Sequence, residues 1–123
     1  MRLKDKCVVI TGGASGIGGE GVLLFASEGT RVVAIDRDRD ALESLARKAP
    51  PGSVQMLVAN LEDPDGARTA LADAAALLGR LDAFWGNAGV VGPAGIEDLD
   101  LADYVSTEAI NLRANVLMAG EAV

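Results

Sequence analysis

A glycine-rich turn is the part of this sequence whose residue types could do chemistry. Residues 8–21 read VVITGGASGIGGEG, so three β-branched residues lead into a turn with glycines at 12, 16 and 18. β-Branched residues favour a buried strand, and glycines let the backbone turn sharply and approach a ligand where a Cβ would collide. A helix that begins near Gly16 would point its unpaired N–H groups at this turn. The stretch therefore predicts a cradle for an anion such as pyrophosphate.

The glycine spacing alone does not settle this interpretation. The pattern is Gly-x3-Gly-x-Gly, which differs from the G-x-G-x-x-G of the common dinucleotide fingerprint. Its context meets two requirements of that fingerprint, because an apolar strand precedes the turn and an acidic residue, Asp36, lies 18 residues beyond Gly18. The alternative is a glycine turn that only packs tightly.

Composition excludes several classes of function. The chain has 123 residues, half of them apolar, and 18 acidic residues against 11 basic ones give a net charge of −7. This balance argues against nucleic acid and anionic membranes as partners. Histidine is absent, and the single cysteine, Cys7, is expected to be buried as a small apolar residue, so we expect no metal site. No signal peptide or long apolar run is evident, which favours a cytoplasmic protein.

Short apolar runs alternate with helical patterns, which indicates βαβ units around a parallel sheet. The predicted strands span 6–11, 31–35, 54–59 and 81–85, and the predicted helices span 16–28, 38–48, 64–78 and 101–122. Right-handed crossovers give a Rossmann-like, doubly wound α/β sheet in the order 3-2-1-4, within one domain, 1–123. Since a complete sheet of this kind has six strands, we expect a truncated, N-terminal part. In the last helix, one apolar stripe should pack inward: Leu101, Val105, Ala109, Leu112 and Val116.

Three motifs in this order resemble those of the short-chain dehydrogenase/reductase family, and the resemblance covers essentially the whole chain. The turn at residues 11–18 is similar to the family's TGxxxGIG cofactor turn, and Asn87-Ala88-Gly89 is similar to its NAG motif. Asn111, inside the last helix, is similar to the family's active-site asparagine. The resemblance implies an NAD(P)-dependent oxidoreductase that transfers hydride between the cofactor and an alcohol or carbonyl substrate.

The resemblance also implies a role for each matching residue. Asp36 would bind the adenosine ribose hydroxyls and repel a 2′-phosphate, which favours NAD over NADP, although Arg37 beside it could partly offset that repulsion. The alternative for Asp36 is a solvated acid in a charged loop. Asn111 would hold a water that relays protons to a catalytic lysine; otherwise it is a surface residue. The other implied cofactor contacts are Gly12, Ser15, Gly16, Ile17 and Gly18 at the pyrophosphate, Asn60 and Leu61 at the adenine, and Asn87, Ala88 and Gly89 at strand 4 and the ribose.

One part of the family's chemistry has no counterpart in these residues. The family uses a tyrosine with a lysine four positions later, because a cation must stabilise the phenolate at neutral pH. Here the only tyrosine is Tyr104, the residue four positions later is Glu108, and all lysines precede residue 49. We therefore expect the cofactor half of an NAD-dependent oxidoreductase, without turnover by itself. The alternative is a non-catalytic dinucleotide-binding module or a truncated remnant.

The fourth strand carries one further expectation. In a sheet that ends at strand 4, the backbone groups of an apolar edge would remain unpaired. We therefore expect self-association through this strand.

Overall fold

The computed structural model describes all residues from Met1 to Val123 and contains one parallel sheet with the strand order β3-β2-β1-β4. The strands are β1 (Cys7–Thr11), β2 (Arg31–Asp36), β3 (Val54–Val58) and β4 (Ala83–Trp85). The helices are α1 (Gly16–Ser27), α2 (Arg39–Ala46), α3 (Pro64–Leu78), α4 (Leu101–Glu108) and α5 (Ala114–Ala122), with a π-helical segment, here called the π turn, at Ala109–Arg113. The predicted fold class and strand order are confirmed.

Helices cover both faces of the sheet, and the side chains of β1 alternate between the two layers. Cys7 and Val9 pack with residues of α3 and α5, whereas Val8 and Ile10 pack with residues of α1 and α2. All four side chains are at most 2% exposed, which explains the continuous apolar run in the sequence. The expected burial of Cys7 is confirmed.

Local signals set the bounds of α3 as the sequence predicts. Asp63 caps its N-terminus by accepting a hydrogen bond from the Asp65 N–H, and Pro64 occupies the first helical position. Gly79 ends the helix in a left-handed conformation, with φ of 80°. The helix thus returns the chain to β4 with its small apolar residues against the sheet.

The prediction for the last helix is wrong in two respects. The π turn interrupts the helix, and of the predicted inward stripe only Ala109 is buried, while Leu101, Val105, Leu112 and Val116 are 50–70% exposed. The residues that face the core are Ala109, Ala114 and Met118. Because the π turn winds more widely than an α-helix, it shifts the phase of the residues that follow it, so Ala114 and Met118 meet the core in place of Leu112 and Val116.

An acidic residue joins β4 to the amino end of β1. Asp82, directly before β4, accepts a hydrogen bond of 2.8 Å from the Cys7 N–H and another of 3.1 Å from Arg80 Nε. These contacts lower the pKa of the Asp82 carboxyl below its ordinary value. The hydrogen bond from the Cys7 N–H has the largest effect, and Arg80 and then Lys6 have smaller ones. This end of the sheet lies opposite the glycine turn.

Two features bear on the surroundings of the chain. The sheet ends at β4, so the outer edge of this strand pairs with no other strand. None of the helices combines the length and the apolar character needed to cross a membrane.

Candidate functional site

A cleft of about 300 Å³ lies at the carboxyl ends of the strands. The loops that follow β1, β2, β3 and β4 all contribute to its wall, as expected for a ligand site of a doubly wound sheet. The lining residues are Gly12, Ser15, Asp36, Arg37, Ala59, Asn60, Leu61, Asn87, Ala88, Gly89, Val90 and Ile110.

The glycine turn is held close to the loop after β4. Gly12 has a φ of 63°, and a Cβ there would lie 2.9 Å from the Ala88 Cα. A Cβ at Gly18 would lie 2.2 Å from the Gly12 carbonyl oxygen, so α1 can approach the turn this closely only without a side chain. Ser15, at the N-cap of α1, makes no capping hydrogen bond. Its hydroxyl and the first N–H groups of the helix are therefore available to an anion.

Asp36 ends β2 at the wall of the cleft and is fixed there by two backbone groups. Its Oδ2 accepts a hydrogen bond of 3.1 Å from the Ala14 N–H, and its Oδ1 accepts one of 3.1 Å from the Asp38 N–H. The carboxylate is therefore oriented by backbone groups at the wall of the cleft. Its remaining lone pairs can accept hydrogen bonds from a diol. Arg37, which follows it, also lines the cleft.

The loop after β3 is tied down at three points. The Asn60 Oδ1 accepts a hydrogen bond of 3.0 Å from the Glu62 N–H, which forms a local turn. Leu61 is only 9% exposed and packs into the core beside α3. The Glu62 carbonyl accepts a hydrogen bond from the Arg113 guanidinium in the π turn. The backbone of this loop is thus held against both α3 and the π turn.

The loop after β4 depends on a buried hydroxyl. Thr11 is fully buried, and its Oγ1 accepts hydrogen bonds from the Asn87 N–H at 3.0 Å and the Ala88 N–H at 3.1 Å. The Asn87 side chain points back to the glycine turn, with its Nδ2 3.4 Å from the Gly12 carbonyl oxygen. Thr11 therefore joins the carboxyl ends of β1 and β4.

Asn111 positions the far end of that loop. Its Oδ1 accepts a hydrogen bond of 2.8 Å from the Val90 N–H, and its Nδ2 donates one of 2.9 Å to the Val90 carbonyl. Its own main-chain carbonyl accepts a hydrogen bond of 2.9 Å from the Asn115 side chain. Both atoms of the Asn111 amide thus engage backbone groups of the cleft wall.

The structure brings together eight of the twelve residues that the sequence suggested for the site. These are Gly12, Ser15, Asp36, Asn60, Leu61, Asn87, Ala88 and Gly89. Gly16, Ile17, Gly18 and Asn111 do not line the cleft. Ile17 is 76% exposed in the first turn of α1, Gly18 is buried beneath the turn, and Asn111 acts through Val90.

Sequence reasoning did not assign four of the lining residues as cofactor contacts: Arg37, Ala59, Val90 and Ile110. Three of them are direct neighbours of the assigned residues Asp36, Asn60 and Asn111, and Val90 follows Gly89. Extending each motif by one residue would have found them.

Chemically, the cleft offers hydroxyl and backbone donors at one end of a helix, a fixed carboxylate and several amide groups. Tyr104 lies on α4, is 45% exposed and is not among the lining residues. These groups suit the binding of a phosphorylated nucleoside.

Comparisons with known proteins give the family. The family model described as short chain dehydrogenase matches residues 6–123. The chain is 36% identical over 115 residues to the 3-oxoacyl-(acyl-carrier-protein) reductase FabG of Thermotoga maritima, an alignment that covers 92% of this chain and 47% of the relative. The chain thus spans about half the length of the curated relatives it matches.

Solved structures agree with this comparison. A short-chain dehydrogenase/reductase from Serratia marcescens superposes with a TM-score of 0.93 at 31% identity, over 99% of this chain and 51% of the other. A metagenomic short-chain oxidoreductase in complex with NADP superposes with a TM-score of 0.90 at 28% identity, over 97% of this chain and 56% of the other. This chain belongs to the short-chain dehydrogenase family.

Proposed function

We propose that this chain is the cofactor-binding portion of an NAD-dependent oxidoreductase that transfers hydride between the nicotinamide and an alcohol or carbonyl compound. The observation that carries the proposal is the fixed Asp36 carboxylate in the wall of a cleft whose other end is a glycine turn and a helix N-terminus. When bound, the nicotinamide supplies the hydride acceptor or donor. The chain's own residues bind and orient the dinucleotide.

The fit of a dinucleotide rests on the close approaches in the glycine turn. The absence of side chains at Gly12 and Gly18 lets the turn, α1 and the loop after β4 pack closely. The first N–H groups of α1 then face the turn, where a pyrophosphate would bind. Asp36, at the end of the next strand, is then placed for the adenosine ribose. Asn87 fixes the loop after β4, and the small residues Ala88 and Gly89 leave room for a ligand at this wall of the cleft.

The preference for NAD over NADP follows from charge. A carboxylate that accepts hydrogen bonds from both ribose hydroxyls would repel a 2′-phosphate. Arg37 lines the same cleft and would attract that phosphate, and the metagenomic relative described above is a complex with NADP. We propose that Asp36 outweighs Arg37, because the carboxylate is fixed by two backbone hydrogen bonds whereas Arg37 is exposed.

A titration tests both binding and preference. Trp85, the only tryptophan, lies two residues before Asn87, so energy transfer to a reduced nicotinamide reports binding. We expect NADH to bind about tenfold more tightly than NADPH, which corresponds to ~1.4 kcal/mol of charge repulsion. Asp36→Asn should remove most of that difference. The matched control, Asp40→Asn, removes an exposed carboxylate from the first turn of α2 and should leave the ratio unchanged.

Two results would contradict the proposal. Binding of neither cofactor would refute the function itself, and equal or tighter binding of NADPH by the unmodified chain would refute the preference.

We further propose that these 123 residues bind the cofactor without turning over a substrate. Tyr104 has Glu108 rather than lysine four positions later, so these residues lack the tyrosine–lysine pair that the family uses to move a proton. Alcohol-dependent production of NADH by the purified chain would refute this proposal.

A non-catalytic dinucleotide-binding module is the second candidate, and the same observation favours it. The two candidates differ in what the gene encodes beyond the codon for Val123. Sequencing of that DNA in all frames distinguishes them, because a serine followed by Tyr-x3-Lys supports the oxidoreductase and its absence supports the module.

A further inference from the structure

Two asparagines of the last helix contact opposite ends of the loop after β4. Asn111 holds the far end through its two hydrogen bonds to Val90. Asn115 lies against the near end, because a Cβ at Gly86 would be 3.0 Å from the Asn115 Cγ and closer still to its Oδ1. The residues between these two ends line the cleft. The Asn115 amide therefore fills the space beside the first residue of a loop that forms the wall of the site.

The Asn115 amide is also bonded to the residue that holds the other end. Its Nδ2 donates a hydrogen bond of 2.9 Å to the Asn111 main-chain carbonyl. One side chain thus contacts Gly86 and helps to fix Asn111, which holds Val90. The two ends of the loop are connected through the helix, outside the cleft.

The glycine at position 86 is explained by space and not by backbone conformation. Gly12 and Gly16 in the glycine turn have positive φ values, whereas Gly86 does not. A Cβ at Gly86 would lie 3.4 Å from the Phe84 Cζ, which is an ordinary contact. Asn115 is therefore the neighbour that excludes a side chain. A Cβ there must either displace the Asn115 amide from Asn111 or push the loop away from the helix.

We propose that Asn115 is a positioning residue for the loop after β4, and that it acts together with Gly86 as a pair. The inference rests on the proposed dinucleotide binding and adds to it a residue that does not line the cleft. Asn115 acts through Gly86 and Asn111. When the pair is disturbed, the loop spends part of its time away from the binding geometry, and the affinity for the dinucleotide falls by the same fraction.

A double-mutant cycle tests the pair, with the dissociation constant for NADH measured by calorimetric titration well below the unfolding temperature. Gly86→Ala should weaken NADH binding about fivefold and Asn115→Ala about threefold, each the effect of about one hydrogen bond. The double variant should bind NADH as Asn115→Ala does, because the methyl group added at position 86 enters the space that the amide leaves. Independent effects would multiply to about fifteenfold instead.

Two variants serve as references for this cycle. Gly95→Ala is the matched control, since Gly95 has no positive φ and a Cβ there would have no atom within 4 Å. It should bind NADH as the unmodified chain does. Asn115→Asp keeps the shape beside Gly86 but loses the donor to Asn111, so it should weaken NADH binding at least as much as Asn115→Ala.

Amide exchange gives a second measurement that needs no ligand and separates positioning from a general loss of stability. Asn115→Ala should speed exchange at the Val90 N–H about threefold, because Asn111 is held less firmly. The Ala88 N–H, which bonds to Thr11, should exchange as it does in the unmodified chain.

Each contrary outcome has a distinct meaning. Unchanged NADH binding in Gly86→Ala, or a double variant weakened by the full product of the single effects, overturns the inference while dinucleotide binding stands. If Gly86→Ala does not fold, Asn115→Ala and Asn115→Asp decide, and unchanged NADH binding in both refutes the positioning role. Failure of the unmodified chain to bind NADH overturns the proposed function, and unchanged exchange at Val90 in Asn115→Ala would then refute the positioning of the loop as well.

Discussion

The hydroxyl of Thr11 carries the connection between β1 and the loop after β4, so Thr11→Val should destabilise the fold. Valine has almost the same shape but cannot accept a hydrogen bond. The Ala88 N–H would then lose its acceptor, while the Asn87 N–H would keep a second one, the Trp85 carbonyl at 3.1 Å. The substitution therefore removes two hydrogen bonds with almost no change in shape: the one that the Ala88 N–H makes to Thr11, and one of the two that the Asn87 N–H makes.

The magnitude follows from these contacts. A donor left without a partner in the interior costs about 1–3 kcal/mol. With one orphaned donor and one weakened donor, both in a half-buried loop, we expect a loss of about 2 kcal/mol. For a domain of this size that corresponds to a fall in melting temperature of roughly 6–10 °C.

Urea unfolding followed by the fluorescence of Trp85 measures this loss. Thr11→Ser is the matched control, since it keeps the hydroxyl and removes one methyl group, at a cost of about 1 kcal/mol. If Thr11→Val unfolds at the same urea concentration as the unmodified chain, or is no less stable than Thr11→Ser, the hydroxyl does not carry the connection.

Three further predictions concern other parts of the molecule. The pKa of Asp82 is lowered in the folded state from its usual 3.8, so its stabilising effect is present above about pH 4 and is lost as the pH falls through the folded pKa. The difference in urea midpoint between the unmodified chain and Asp82→Asn should therefore be smaller at pH 3 than at pH 7. Asn111→Ala should speed amide exchange at Val90 and cost about 1 kcal/mol, because two exposed hydrogen bonds are lost. Ala83→Lys, at the unpaired edge of β4, should reduce concentration-dependent self-association in sedimentation.

The outcomes that contradict these three are equally direct. An Asp82→Asn gap that is the same at both pH values would show that the charge of the carboxyl is unimportant. Unchanged exchange at Val90 would show that Asn111 does not hold the loop. A chain that remains monomeric at high concentration would refute association through β4.

The sequence predicted the fold well because the signals involved are local. Strands buried on both faces require continuous apolar runs, and the ends of α3 carry a cap at Asp63 and a left-handed Gly79. Helix bounds consequently agree to within about two residues except in the last helix. The strand order followed from the handedness of crossovers rather than from any single residue.

The rest depends on contacts between distant residues. The π turn has no sequence signature here, because the apolar spacing after Leu101 fits an ordinary helix equally well. The glycines inside α1 are explained only by tertiary packing, since a Cβ at Gly21 would lie 2.3 Å from the Trp85 ring. Likewise, the resemblance implied a cofactor contact at Asn60, but the hydrogen bond from the Glu62 N–H that fixes its amide is seen only in the folded loop.

The π turn has a consequence for how long a ligand stays bound. Its residues Asn111 and Arg113 hold the two loops on either side of the cleft, through Val90 and Glu62. Neither loop can move away without breaking its hydrogen bonds to this single segment. The dissociation rate of a ligand should therefore depend on how often the hydrogen bonds from the π turn to these two loops break. The residence time would then be set by a helical segment of which only Ile110 lines the cleft.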